Sequence, residues 1–211
     1  YTDNGFWDTF RAVHPLFTLL YPEVSERVTQ SILNAYDESG FMPEWASPGH
    51  RECMIGNNSI SLLTDAWMKG IRTICPEKAL EAMIHQTEAR HPGISSVGRD
   101  GFGYYDRLGY VPYPEVHEAT AKTLEYAYAD WCVARFADSI GRKEIADTYY
   151  RKALNYRNLY YPDYGFMWAK DANGKWRDAF DSTEWGGPFT EGSSWHWTWS
   201  VLHDPEGLSR L

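Results

Sequence analysis

Three carboxylates stand among aromatic side chains in this sequence of 211 residues: Asp8 within Phe6-Trp-Asp-Thr-Phe-Arg11, Glu184 beside Trp185, and Glu191 within Phe189-Thr-Glu-Gly-Ser-Ser-Trp195. Glycoside hydrolysis calls for this combination. One carboxylic acid protonates the leaving oxygen, a second carboxylate activates water or attacks, and flat apolar rings pack on the sugar. Each candidate also has a plainer reading. Asp8 in the first turn of a helix favours the helix dipole and pairs with Arg11 at i+3, and Glu191 has the same role in a helix that Thr190 caps and that contains Trp195 and Trp199. The cluster Trp185, Trp195, Trp197 and Trp199 grips a sugar or is simply core.

Other machinery is missing from the sequence. There is no G-x-x-x-x-G-K-[ST] phosphate loop, no G-x-S-x-G elbow, no H-E-x-x-H and no G-x-G-x-x-G after a strand. Gly98, Gly101 and Gly103 read as a glycine-rich loop. Asp171-Ala-Asn173-Gly174 starts like a calcium loop, but Ser182 occupies the twelfth position, where a bidentate acid belongs. Cys53, Cys75 and Cys132 are an odd number without C-x-x-C spacing, so they read as buried free thiols rather than disulfides or zinc ligands. His196 and His203 lie seven apart and would bind a metal only if a carboxylate joined them.

A net charge of −9, from 20 Lys+Arg against 29 Asp+Glu, excludes a polybasic nucleic-acid binder and argues against anchoring on an anionic membrane. No apolar run approaches the ~20 residues of a membrane span. The expected partners are neutral or weakly charged. Tyr1 in place of Met, and an end at Leu211 inside a helix-like stretch, raise the expectation of processed or missing ends.

The elements that must position these residues are helical. Apolar positions recur at helical spacing and the helices come in pairs: about Trp7–Leu20 with Pro22 to near Gly40, Ser59–Arg72 with a helix opening at Pro76, and a long helix through Leu124, Trp131, Phe136 and Ile140, ended by Gly141, with Arg142–Asn158. The second member of each pair is more charged, as if first helices lined a centre and second helices faced water. Asn173-Gly174, flanked by Gly165–Lys170 and Lys175–Phe180, signals a small β-hairpin. Asp204-Pro205-Glu206 starts a further helix. The expectation is an all-α fold of roughly four helix hairpins, part of an (α/α)6 toroid, plus that hairpin.

The segments Gly5-Phe-Trp-Asp-Thr-Phe-Arg-Ala-Val-His-Pro15, Cys53-Met-Ile-Gly56, Asp65-Ala-Trp-Met-Lys-Gly70, Lys122-Thr-Leu-Glu-Tyr-Ala-Tyr-Ala-Asp-Trp131 and Phe189-Thr-Glu-Gly-Ser-Ser-Trp195, followed by His203-Asp204, closely resemble glycoside hydrolase family 92. The resemblance implies an exported bacterial, calcium-dependent, inverting exo-α-mannosidase that trims α-mannosides of N-glycans or mannan. It also implies an (α/α)6 catalytic domain and an N-terminal β-sandwich. It places the general acid on Glu191 and suggests that Trp7 and Asp8 help line the terminal-mannose subsite; Arg11, Cys53, Glu184 and Trp195 are the further substrate-binding candidates. The catalytic base, most calcium ligands, the rest of the toroid and the β-sandwich are expected outside residues 1–211. Asn57-Asn58 and Ser193-Ser-Trp-His-Trp197 depart from the family's usual residues, which puts substrate preference in question. Alternatives are a catalytically incomplete fragment that binds sugar only and a non-enzymatic helical-repeat module; a terpene-cyclase-like toroid lacks its Asp-rich motif.

Overall fold

The computed structural model describes residues 3–211; Tyr1, on which the expectation of processed ends partly rests, lies outside them. The chain divides into two compact units: residues 1–100 with 132–149, and residues 101–131 with 150–211.

In the first unit, β1 (Asn4–Gly5) pairs antiparallel with β2 (Trp45–Ala46) and runs into α1 (Phe6–Thr9). The single helix expected over Trp7–Leu20 is broken, because Ala12 leaves helical geometry before α2 (Val13–Leu20). Pro22, fixed at a helix-compatible φ, opens α3 (Pro22–Ser39), and Gly40 ends it at φ +80°. Then come α4 (Asn58–Met68) and α5 (Pro76–Glu88). α4 is buried along nearly its whole length, whereas α5 buries one stripe through Ala79, Leu80, Ala82 and Met83.

The long helix α7 (Ala119–Ser139) contributes its C-terminal part to this unit, where Thr64 Oγ1 donates to the Cys132 carbonyl (3.2 Å) and Trp67 packs on Phe136 while its indole N–H reaches Ser139 (2.9 Å). α8 (Lys143–Lys152) buries Ala146 and Tyr149, and the Tyr149 hydroxyl bonds Thr87 (2.7 Å). The expected contrast between buried first helices and charged second helices thus holds for α4/α5 and α7/α8. It fails for α2/α3: α2 leaves Leu16, Leu19 and Leu20 exposed.

The second unit contains α6 (Phe102–Leu108), where the glycine-rich loop was expected: Gly101, at φ +77°, is its N-cap. Tyr105 of α6 packs on Tyr126 and bonds Asp130 (2.8 Å) of α7. A 3-10 helix, Ala153–Leu159, takes the place of the last turns expected for α8. β3 (Tyr160–Tyr161) and β4 (Phe166–Met167) form a hairpin around Gly165. The Asn173-Gly174 turn is present, with Gly174 at φ +85°, but its ladder is reduced to the Lys170–Trp176 bridge. α9 (Ser194–Thr198) docks on β4 through Ser194 Oγ to Met167 O and Met167 N to Thr198 Oγ1, both 3.0 Å. α10 (Pro205–Ser209) starts at Asp204 as expected, the Asp204 carboxylate accepting the Gly207 N–H at 2.8 Å.

Candidate functional site

Glu191 lies in a loop, not in the first turn of a helix. The loop from Trp185 to Gly192 closes on itself through Gly186 N–H to the Gly192 carbonyl (2.9 Å) and Phe189 N–H to the Gly186 carbonyl (3.1 Å). Carbonyls of Gly187 and Pro188 accept N–H groups of Glu118, Thr120 and Ala121 at the start of α7, at 3.0–3.2 Å. These donors have no partner within the helix, so α7 and the loop satisfy one another. The Phe189 ring is buried, and Trp197 donates its indole N–H to the Thr190 carbonyl (2.8 Å). At Gly192 a Cβ would stand 3.2 Å from His196 Cβ and from the Trp197 indole nitrogen, so a side chain would strain the anchor.

On this frame Glu191 adopts φ +44° and its side chain is exposed. A non-glycine residue pays roughly 1–3 kcal/mol for such a conformation and keeps it only when its surroundings over-determine it. The cap expected of Thr190 belongs instead to Ser193, which forms a capping box with His196. Trp185 and Trp195, 66% and 53% exposed, present rings on either side of Glu191 in sequence. Trp197, by contrast, is core.

Glu184 is committed differently. Its carboxylate receives Arg177 Nη1 at 2.7 Å, both side chains being partly buried. That hydrogen bond is the main cause holding the Arg177 guanidinium above its ordinary value, against burial. Arg177 in turn lies over the rings of Trp168 and Tyr113, so Glu184 is a braced carboxylate rather than a free one.

The other predicted residues lie in the first unit. Gly5 precedes α1 because a Cβ there would meet Met54 Sδ at 2.9 Å and Trp45 Cε3 at 3.1 Å. Thr9 Oγ1 ties back to the Gly5 carbonyl (3.0 Å), leaving Trp7 half-buried and Asp8 exposed on the outer side of the turn. Arg11 carries its guanidinium over Phe10 (4.6 Å) and Trp7 (5.4 Å), a cation–π arrangement that fixes the Trp7 ring. Cys53 is half-buried, its N–H bonded to Ser96 Oγ (3.1 Å). Of the three free thiols only Cys132 is buried as expected; Cys75 is exposed because it is the N-cap of α5, at the element's end.

A polar network that the sequence motifs do not reveal lies beneath Cys53-Met-Ile-Gly56. The carboxylate of Glu44, fully buried, accepts Asn58 N–H (2.7 Å), Ser59 N–H (3.1 Å), Ser59 Oγ–H (2.8 Å) and Gln86 Nε2–H (3.2 Å). It therefore satisfies the open N-terminus of α4. Burial pushes its pKa up to about 8, against the pull of those four hydrogen bonds. Next to it, Asn57 accepts Arg99 Nε (2.8 Å) and donates to the Gly98 carbonyl (3.0 Å), with Arg99 completely enclosed. The only sequence signal was a charged residue inside the apolar run Phe41-Met-Pro-Glu-Trp45.

Nearby, His14 is enclosed between Phe6 and Phe17, and burial lowers its pKa to about 4. With Asn4, Glu38 and His50 it lines a cavity of about 440 Å³ that none of Trp7, Asp8, Arg11 or Cys53 borders. Cavity and candidate chemistry are therefore separate features of this unit.

Among the described residues no three His, Cys, Asp or Glu side chains converge as a metal site. His196 Nδ1 accepts the Ser193 N–H, and His203 Nε2 donates to the Ala153 carbonyl (2.8 Å). The described residues thus do not by themselves make a complete calcium site.

Comparison with known proteins extends this picture. Residues 1–211 match the glycosyl hydrolase family 92 catalytic domain. The chain is similar to a family 92 inverting mannosidase of Bacteroides thetaiotaomicron, at 84% identity and a TM-score of 0.99 over 100% of this chain and 28% of that one. A family 92 α-mannosidase of the same organism, solved with mannoimidazole, is 31% identical with a TM-score of 0.89, over 100% of this chain and 29% of its own. A protein described as an uncharacterized secreted glycosidase, from Arthroderma benhamiae, is 26% identical over 168 residues, covering 74% of this chain and 22% of its own. The chain spans less than a third of the length of each. No helix among the described residues is long and apolar enough to cross a membrane. All-α, with helix hairpins of the (α/α)6-toroid class, the chain belongs to glycoside hydrolase family 92.

Proposed function

We propose that the protein carrying this chain hydrolyses terminal α-linked mannose from N-glycans or mannan with inversion, and that Glu191 is its general acid. The observation that carries the reading is the exposed Glu191 carboxyl at φ +44°, on a loop fixed to the start of α7, in a chain of this family. A strained, anchored acid is pre-organised for proton delivery to a leaving oxygen. An inverting pair requires a second carboxylate roughly 6.5–9.5 Å away to activate water. The base is proposed to lie in the part of the protein outside these residues, as the family resemblance implies; Glu184 itself is tied to Arg177.

Trp7, Asp8, Arg11, Cys53 and Trp195 are proposed to contact the terminal sugar. Trp7 supplies a ring that Arg11 holds in place, and Asp8 an acceptor for sugar hydroxyls. Glu184, through Arg177, braces the turn that carries Trp185. Calcium is proposed as the cofactor of the whole enzyme, with most ligands outside this chain. Residues 1–211 are proposed as part of a single (α/α)6 domain, partnered by the rest of the toroid and a β-sandwich. Export from the cell is the proposed destination, supported by the secreted relative.

The test is hydrolysis of an unactivated α-mannoside by the full-length protein and its Glu191→Gln variant. The reading predicts hydrolysis by the wild type and a loss of about 10²–10⁴-fold in the variant; turnover equal to wild type overturns the assignment.

A further inference from the structure

The second unit holds a cavity of about 470 Å³ that the proposed chemistry does not use, lined by Tyr161, Tyr164, Lys175, Trp176, Asp178 and Phe180 among others. That volume falls in the range of small-molecule sites. Its rings are ordered. Tyr161 stacks on Trp176 with centroids 4.4 Å apart and planes 7° from parallel, and Tyr164 stacks on Phe180 at 4.1 Å and 19°. Lys170 holds its ammonium 4.1 Å from the Trp176 ring centroid, so Trp176 is pinned between a cation and Tyr161. Tyr164 is 51% exposed while packed on Tyr161 and Phe180.

The polar rim has both signs. Lys175 and Asp178 pair at 2.9 Å with 68% and 82% of their side chains exposed, which offers donors and acceptors at no net charge. Such a rim suits a neutral polyhydroxylated ligand better than an anion or a cation. Ala179, also lining the cavity, sits at φ +55°, a strained non-glycine residue like Glu118 and Glu191 of the same unit.

A file of ring contacts leads from the cavity to Trp195. Phe180 meets Phe166 at 5.8 Å, and Phe166 meets Trp195 edge-on at 4.8 Å. Trp195 follows Glu191 by four residues.

We infer that this cavity is a distal glycan subsite that takes a hexose on the leaving-group side of an extended oligosaccharide, with Tyr164 as the stacking platform and Lys175 and Asp178 as hydroxyl partners. The identity of the sugar rests on the α-mannosidase reading; the existence of the subsite rests on the geometry.

The test is calorimetric titration of the full-length Glu191→Gln protein with an α-linked mannotetraose and with methyl α-mannoside. Adding Tyr164→Ala is expected to weaken tetraose binding about tenfold while methyl α-mannoside binding stays the same; Tyr164→Phe, which keeps the ring, restores the tetraose affinity, and Asp178→Ala lowers it by a few-fold. A tetraose bound no more tightly than methyl α-mannoside, or bound by the Tyr164→Ala and Asp178→Ala proteins as tightly as by the Glu191→Gln parent, overturns the subsite. Failure of the α-mannosidase reading shows separately, as no hydrolysis of an aryl α-mannoside by the protein with Glu191 intact.

Discussion

Glu191 illustrates a conflict between stability and chemistry within one residue. Its φ of +44° costs any L-side chain, and the loop around it is fully engaged in holding the Glu118–Ala121 amides. Glu191→Gly is therefore predicted to raise stability by about 1 kcal/mol, seen as an increase of a few degrees in Tm, while abolishing turnover. A fall in Tm would show that the carboxylate makes a stabilising contact that outweighs its backbone strain. Gly98 is the opposite case: at φ +74° an added Cβ would collide with the Ala89 carbonyl. Gly98→Ala is predicted to cost about 2–4 kcal/mol in denaturant unfolding, because the same turn presents the carbonyl that Asn57 uses. At this scale the sequence identified the residue types but not their settings. Nothing local shows that Glu191 is left-handed, that Glu184 is held by Arg177 seven residues away, or that Glu44 caps a helix fourteen residues further on.

At the scale of elements, the cap that Glu44 provides to α4 makes a titratable group part of the core. An acid whose folded pKa stands near 8 binds a proton in the folded state that the unfolded chain has already released above about 4.5. Its contribution to stability is therefore lost as pH rises through 8. His14, lowered to about 4, behaves in the other direction: the unfolded chain takes up a proton below 6.5 while the folded chain does not, so stability is lost as pH falls from 6.5 through 4. Together they place maximum stability of the first unit at about pH 5 to 6. Glu44→Gln is predicted to flatten the alkaline limb of a Tm-against-pH curve and leave the acid limb in place; an unchanged alkaline limb would remove Glu44 as its cause. Helices such as α5 were legible because they bury a regular stripe. α6 was not: its glycines read as loop, and only the structure shows Gly101 serving as a left-handed cap. The ribbon after Asn173-Gly174 was overestimated, since turn chemistry fixes the turn but not how long the strands stay paired.

At the scale of the whole protein, the toroid class was legible from paired helices, and the family from five dispersed motifs in register with it. The assignment of base and metal was not, because the chain spans 28% of the similar inverting mannosidase. If the proposed reaction inverts, proton NMR of early hydrolysis will show the β-anomer of mannose before mutarotation; an initial α-anomer would indicate a covalent intermediate and a closely spaced carboxylate pair. The central claim, that Glu191 donates the proton to the departing oxygen, is tested most directly by leaving-group dependence. In the full-length Glu191→Gln variant, kcat/KM for an alkyl α-mannoside should fall by about 10²–10⁴-fold, while that for an aryl α-mannoside whose leaving group needs no protonation should fall far less. Equal losses on both substrates, or no loss on either, would contradict it.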